Sequence, residues 1–191
     1  MGMGGINPIR ALALGFGLAA LAACASTPAP ISTGPGRAYS RPQPQLPVYN
    51  GEEPRVADYG ANLQCVPFAR NASGVQIYGD ANTWWIQAAG RYPRSNQPAF
   101  GSVFVIQGYN TSARGHVAVV THIDSSRLIR VDHANWLNNG EISVGVPVLD
   151  VSPNNDWSEI RVWHIPGGHW GGRIYQGEGF IHPFTLHAAL S

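Results

Sequence analysis

Five short runs rich in β-branched residues follow one another along the second half of the chain: Val103 to Ile106, His116 to Ile123, Leu128 to Asn135, Ile142 to Val148 and Ile160 to Ile165. Gly, Asn, Ser and Pro separate them, the residues that end strands and build turns. Asp124 to Arg127 is the turn that joins the second and third runs as a hairpin. Two helical segments precede the strands. The first spans Gln64 to about Ser73, and Pro67 is tolerated only in a first turn, which fixes the helix start close to Cys65. The second begins at Asp80, a good N-cap, and runs through Thr83, Trp84 and Ile86 towards Gly90. Helices first and consecutive strands after them indicate an α+β fold, with N-terminal helices packed on an antiparallel β-sheet. The tail from Gly167 is Gly-rich and aromatic, and its pattern assigns it to no element.

Little of the N-terminal part can join that fold. Arg10 and the apolar run Ala11 to Ala23 have the form of a signal peptide, too short for a membrane span of about 20 residues. The run ends Leu21-Ala22-Ala23-Cys24, which resembles the lipobox of bacterial lipoproteins. That resemblance implies cleavage before Cys24 and a lipid on its sulfur. Residues 24–56 are rich in Pro, Ser, Gly and Thr, the composition of a tether. Residues 57–191 are left as the folded domain. The net charge is +1 and every basic residue is Arg. A balance so near neutral gives no sign of a nucleic-acid partner.

With Cys24 assigned to the lipid, Cys65 is the one remaining cysteine. A solitary thiol in an exported protein is either a small buried hydrophobe or a reactive group. At a helix N-terminus, free backbone N–H groups favour a thiolate and can also hold an oxyanion. His116 opens a strand in Gly115-His116-Val117-Ala118-Val119-Val120, where alternation puts His116, Ala118 and Val120 on one face. The small Ala118 and Gly115 suit an imidazole set against a helix end. On the next strand Val131, His133 and Asn135 share a face and Asp132 points away. His133 or Asn135 can therefore orient His116, and Asp132 can do so only across a bulge.

Gln64-Cys65-Val66-Pro67-Phe68-Ala69-Arg70, then Gly79-Asp80-Ala81 with Trp84, then Pro98 and Gly101, then Gly115 to Val120, resemble the CHAP family of cysteine, histidine-dependent amidohydrolases/peptidases. The resemblance runs from about residue 60 to 165. It implies a papain-like fold, a Cys65 nucleophile, a His116 base and a polar orienting residue on the following strand. It also implies hydrolysis of amide bonds in bacterial peptidoglycan, as endopeptidase or N-acetylmuramoyl-L-alanine amidase, with Gln64 assisting the Cys65 N–H at the oxyanion. Where family members commonly carry an acidic residue two places before an Asn, this chain has His133 before Asn135. Related papain-like cell-wall peptidases use His as third member, so His133 takes the orienting role, with Asn135 as support or substitute. Residues 57–64 hold Asp58 as their only acidic residue, so the calcium site of some phage members is not expected.

No cofactor is implied. A metal site from His116, His122, His133 and Asp132 is disfavoured, because residues 116 and 122 lie about 20 Å apart on a straight strand. His164, His169, His182 and His187 read as structural or surface groups. The competing function class is a non-catalytic cell-wall-binding or scaffold lipoprotein that keeps the fold. The expected partners are the peptidoglycan stem peptide and a membrane reached through the lipid. The expected location is the bacterial cell envelope, on the periplasmic face of the outer membrane, since Ala25 lacks the inner-membrane retention Asp.

Overall fold

The structure, a computed structural model, describes residues 53–184. The leader at 1–23, Cys24, nearly all of the proline-rich tether and His187 lie outside those residues. Strand β1 (Arg55–Asp58) leads to helix α1 (Cys65–Ser73), a 3-10 turn (Ala81–Thr83) and helix α2 (Trp84–Gln87). The remaining elements are strands: β2 (Arg94–Ser95), β3 (Val103–Gln107), β4 (Gly115–Ser125), β5 (Leu128–Ala134), β6 (Ile142–Asp150), β7 (Glu159–His164), β8 (His169–Trp170) and β9 (Tyr175–Ile181).

Helix α1 starts at Cys65, as Pro67 in its first turn requires. It stops at Gly74, whose left-handed φ of 80° lets its N–H return to the Arg70 carbonyl. The segment after Asp80 is a shorter helix than the sequence suggests. Its first turn is 3-10, the Asp80 side chain makes no capping bond, and α2 ends after four residues.

The sheet departs most from expectation. Its order is β1-β6-β5-β4-β3-β9-β7-β8, and β6 also pairs with β7. That extra pairing closes β6, β5, β4, β3, β9 and β7 into a ring, all neighbours antiparallel. The molecule is thus mostly β, a barrel with two short helices, rather than helices on an open sheet. Strand alternation sorts the core into two clusters. Phe104, Ile106, Ala118, Val120, Ile129, Val131, Val146, Val148, Ile160, Val162 and Phe180 fill the barrel together with Trp157. Val103, Val105, Val117, Val119 and Ile181 face outward, under Ala69, Val75, Ile77, Ala81, Trp84 and Ala88 of the helical layer. Strand β4 is covered on both faces, which explains its unbroken apolar run.

Closure falls to β9, drawn from the tail that carried no sequence pattern. A strand with Gly177 and Gly179 and few branched residues gives a weak β signal. The glycine is required at 177. A Cβ there would overlap the Trp157 carbonyl oxygen and lie 2.8 Å from the Phe104 ring. Phe104 also stacks on Phe180 at 4.5 Å and meets Trp157 edge-on at 6.0 Å, so it has nowhere to retreat. Gly177→Ala is expected to destabilise the fold by about 1–3 kcal/mol, the range for overpacked cores, read as a lower midpoint in urea unfolding.

Candidate functional site

Three segments meet at one end of the barrel: the start of α1, the start of β4 and the end of β5. Gly115, the first residue of β4, allows the approach. A Cβ at Gly115 would stand 2.7 Å from the Asn82 backbone nitrogen and 2.9 Å from the Ile106 oxygen. The 3-10 turn can therefore rest on the strand only where a side chain is missing.

Cys65 is a free thiol, half-buried against the outer core cluster. Backbone hydrogen bonding by Val117, Val66 and Cys65 itself acts to lower the pKa of its thiol. Val117 is the residue after His116, so the sulfur sits against the strand that bears the imidazole. Both side chains line the same cleft, about 1030 Å³ in volume. His116 shares its face with Ala118 and Val120, the face turned to the barrel interior, and not the face that carries the helices. The imidazole thus occupies the barrel mouth, and the thiol lines the same cleft from the helical side of the sheet.

His116 Nε2 lies 3.0 Å from His133 Nδ1. One of these nitrogens must donate to the other. If His116 is to accept a proton at Nδ1, its Nε2 carries hydrogen and His133 Nδ1 accepts. His133 Nε2 is then a donor, and it is buried without a partner. Trp136 packs on both rings, edge-on to His116 at 4.8 Å and stacked on His133 at 5.4 Å. Burial drives both imidazoles towards neutrality: His116 is lowered to about 3 and His133 well below the usual range, where the charge of His116 adds to the effect. Burial also raises the Cys65 thiol, against the pull of the three N–H groups. Desolvation therefore outweighs the backbone N–H groups at Cys65, and burial favours the uncharged form of the thiol and of the imidazole alike.

Asn135 does a different task from the one its strand position suggests. Strand β5 ends at Ala134, and Asn135 turns to a left-handed φ of 59°, which removes it from the alternation of Val131 and His133. Its amide Nδ2 donates to Gln64 Oε1 at 2.7 Å and its Oδ1 accepts from the Gly140 N–H at 2.8 Å. Leu63 N–H bonds the Gly140 carbonyl at 2.9 Å. Gln64, the N-cap of α1, makes no capping bond with its side chain. With its oxygen occupied by Asn135, the Gln64 NH₂ is the end left to meet a ligand. Asp132 lies on the other face of β5 and accepts from the Gly145 N–H at 2.8 Å. His122 is exposed, beyond a bulge after Val120.

Residues 55–135 match the CHAP domain. The match spans β1 through the start of the turn after β5, and so includes Gln64, Cys65, His116, His133 and Asn135. CHAP domains are hydrolases, amidases and peptidases, and the match implies that class of activity on peptidoglycan. A curated relative, "Alpha-agarase" of Thalassotalea agarivorans, is 24% identical over 127 residues, 62% of this chain. The aligned part is 9% of that protein, so the chain spans under a tenth of the relative's length.

Sequence reasoning missed several groups at this site. Glu141 is fully buried, and its carboxylate accepts from the N–H groups of Leu137 and Asn139 at 2.8 and 3.2 Å, which shapes the turn that clamps Gln64. Asn138-Asn139-Gly140 was the one legible sign of that turn. Trp136, Tyr175 and Arg173 line the cleft, and Arg173 lies over the Tyr109 ring at 4.8 Å. The last two come from segments whose partners no local pattern names.

The lowered imidazoles set a stability profile. Unfolded histidines titrate near ~6.5, so in the window from there down to about 3 the unfolded chain binds more protons than the folded one. Stability is full above that window and is lost as pH falls through it. Thermal unfolding followed from about pH 7 to about pH 4 should show a declining Tm, with a shallower decline in His133→Asn, which removes one of the two buried bases.

Proposed function

We propose that this chain is a cysteine hydrolase cutting amide bonds of peptidoglycan, within the stem peptide or between sugar and peptide, with Cys65 as nucleophile and His116 as base. One observation carries the reading. The Cys65 thiol, the His116 imidazole and the Gln64 amide line one cleft, and His116 is held from behind by His133 at 3.0 Å.

The neutral resting pair shapes the mechanism. The thiol proton passes to His116 Nδ1 as the sulfur bonds the amide carbonyl carbon, so charge develops only along the reaction path. The imidazolium that forms is steadied by Nε2–H donating to His133 Nδ1, the task an acidic or amide side chain performs in related triads. The carbonyl oxygen, now negative, takes the Cys65 N–H and the Gln64 NH₂. The C–N bond breaks, His116 returns its proton to the leaving amine, and a thioester remains. Water then attacks the thioester, gives a proton to His116, and the C–S bond breaks to restore the thiol. Asn135 acts through Gln64 by fixing which end of the amide faces the cleft. The proposal extends to the envelope, with the domain tethered by a lipid on Cys24 at the periplasmic face of the outer membrane.

Purified wall sacculi incubated with the protein are expected to release fragments with new amine and carboxyl ends, identified by mass spectrometry. Cys65→Ser should release none above background. Equal release by the two proteins would sink the enzyme reading and favour a binding or scaffold role for the same cleft.

The oxyanion assignment has its own signature. Gln64→Ala is expected to lower kcat on the order of 10²-fold, as loss of one oxyanion donor does, with little change in KM. Asn135→Ala should lower kcat in the same direction by a smaller factor, because Gln64 remains but loses its orientation. A change confined to KM in either variant would remove these residues from the transition state.

A further inference from the structure

Beside the cleft, strands β7 and β8 form a hairpin in which His164 and His169 stand directly opposite each other. Their rings lie 5.3 Å apart, centre to centre. The next pair along, Trp163 and Trp170, meets edge-on at 5.4 Å and stiffens the hairpin. Both histidines line the cleft, and neither has a part in the chemistry described above.

Their nitrogens are arranged as metal ligands are. His169 Nδ1 lies 3.0 Å from the Trp170 carbonyl oxygen. A carbonyl can only accept, so Nδ1 carries the hydrogen and Nε2 presents a lone pair. Metal-binding histidines are oriented in this way, with the second ring nitrogen donating to a backbone carbonyl. His164 Nδ1 is buried and has no hydrogen-bond partner, an unexplained vacancy at a polar atom. The two free nitrogens also converge. A Cβ on Gly167 would stand 2.5 Å from His169 Nε2 and 2.8 Å from His164 Nδ1, so both nitrogens lie beside one point over a residue without a side chain. Two imidazoles sharing one tetrahedral ion at N–metal distances of ~2.1 Å set their ring centres about 5 Å apart, close to the spacing found here.

We infer that His164 and His169 form a two-imidazole site for a borderline divalent transition metal such as Zn²⁺, with its remaining coordination positions open to the cleft. Imidazole pairs favour Zn²⁺, Cu²⁺ or Ni²⁺ over the hard, oxygen-seeking Mg²⁺ and Ca²⁺. Among the described residues no third His, Cys, Asp or Glu joins the pair. Water, or a carboxylate carried by a ligand in the cleft, completes the shell. The site revises the expectation that these two histidines serve only as structural or surface groups.

The test measures metal, not catalysis. Zn²⁺ is titrated into the full chain against a chromophoric chelator at neutral pH, in a Cys65→Ser background so that the thiol cannot contribute. One equivalent is expected to bind. His169→Ala and His164→Ala should each weaken that binding at least about tenfold, while His122→Ala, which removes an exposed histidine elsewhere, leaves it intact. Far-UV circular dichroism of each variant establishes that the fold is kept. Failure of the parent to bind one equivalent, or equal affinity in the His169→Ala protein, overturns the proposal.

Discussion

The clamp on the residues just before α1 is the constraint on which the site depends. A helix N-terminus is useful only if it is held still against its partner strand. Here the holding is done by main chain and amide groups: Leu63 N–H on the Gly140 carbonyl, and Asn135 between Gln64 and Gly140. The turn from Asn135 to Glu141 is itself held from inside by the buried Glu141 carboxylate. A fully buried acid that accepts two backbone N–H groups is tolerated because those bonds replace its water. The sulfur position thus traces back, through Gln64 and Gly140, to a carboxylate that never meets the cleft.

Burial at the barrel mouth decides the electrostatics. An imidazole placed on the helix-bearing face would lie between two layers. This one faces the barrel interior, roofed by Trp136, with a second imidazole behind it. An acidic third member would stabilise a permanent imidazolium. A neutral His133 cannot supply that charge, and its own Nε2 lacks a partner. The arrangement keeps His116 uncharged at neutral pH, and it accepts an orphan buried donor that costs about 1–3 kcal/mol.

Much of this architecture was legible in local pattern. Pro67 located the start of α1, β-branched runs located five strands, and Cys65 and His116, singled out by residue type and position, line one cleft. What escaped was non-local. The departure of Asn135 from the strand could not be read, since alternation assumes that the strand continues, and a left-handed residue ends it. The closure by β9 was hidden because its glycines answer to Trp157 and Phe104, residues whose proximity only the closed barrel creates. The balance of dipole against desolvation at Cys65 was likewise out of reach, because sequence gives the helix end but not the depth at which it is buried.

The CHAP match ends at Asn135, while the cleft does not. Much of its lining, from Gln64 to Asn135, lies inside the matched segment. The rest is built by Trp136 to Asn138, by the β7–β8 hairpin and by the Gly171 to Tyr175 approach to β9. Aromatic contacts join the two parts: Tyr175 packs against Trp136 at 5.1 Å and against Tyr109 at 5.5 Å, and Trp136 packs against His116. The same strand, β9, both closes the barrel and carries Tyr175 into the cleft, so fold closure and cleft lining share one element. A chain that shared residues 55–135 but carried a different C-terminal third would therefore keep the matched segment and present a different cleft lining.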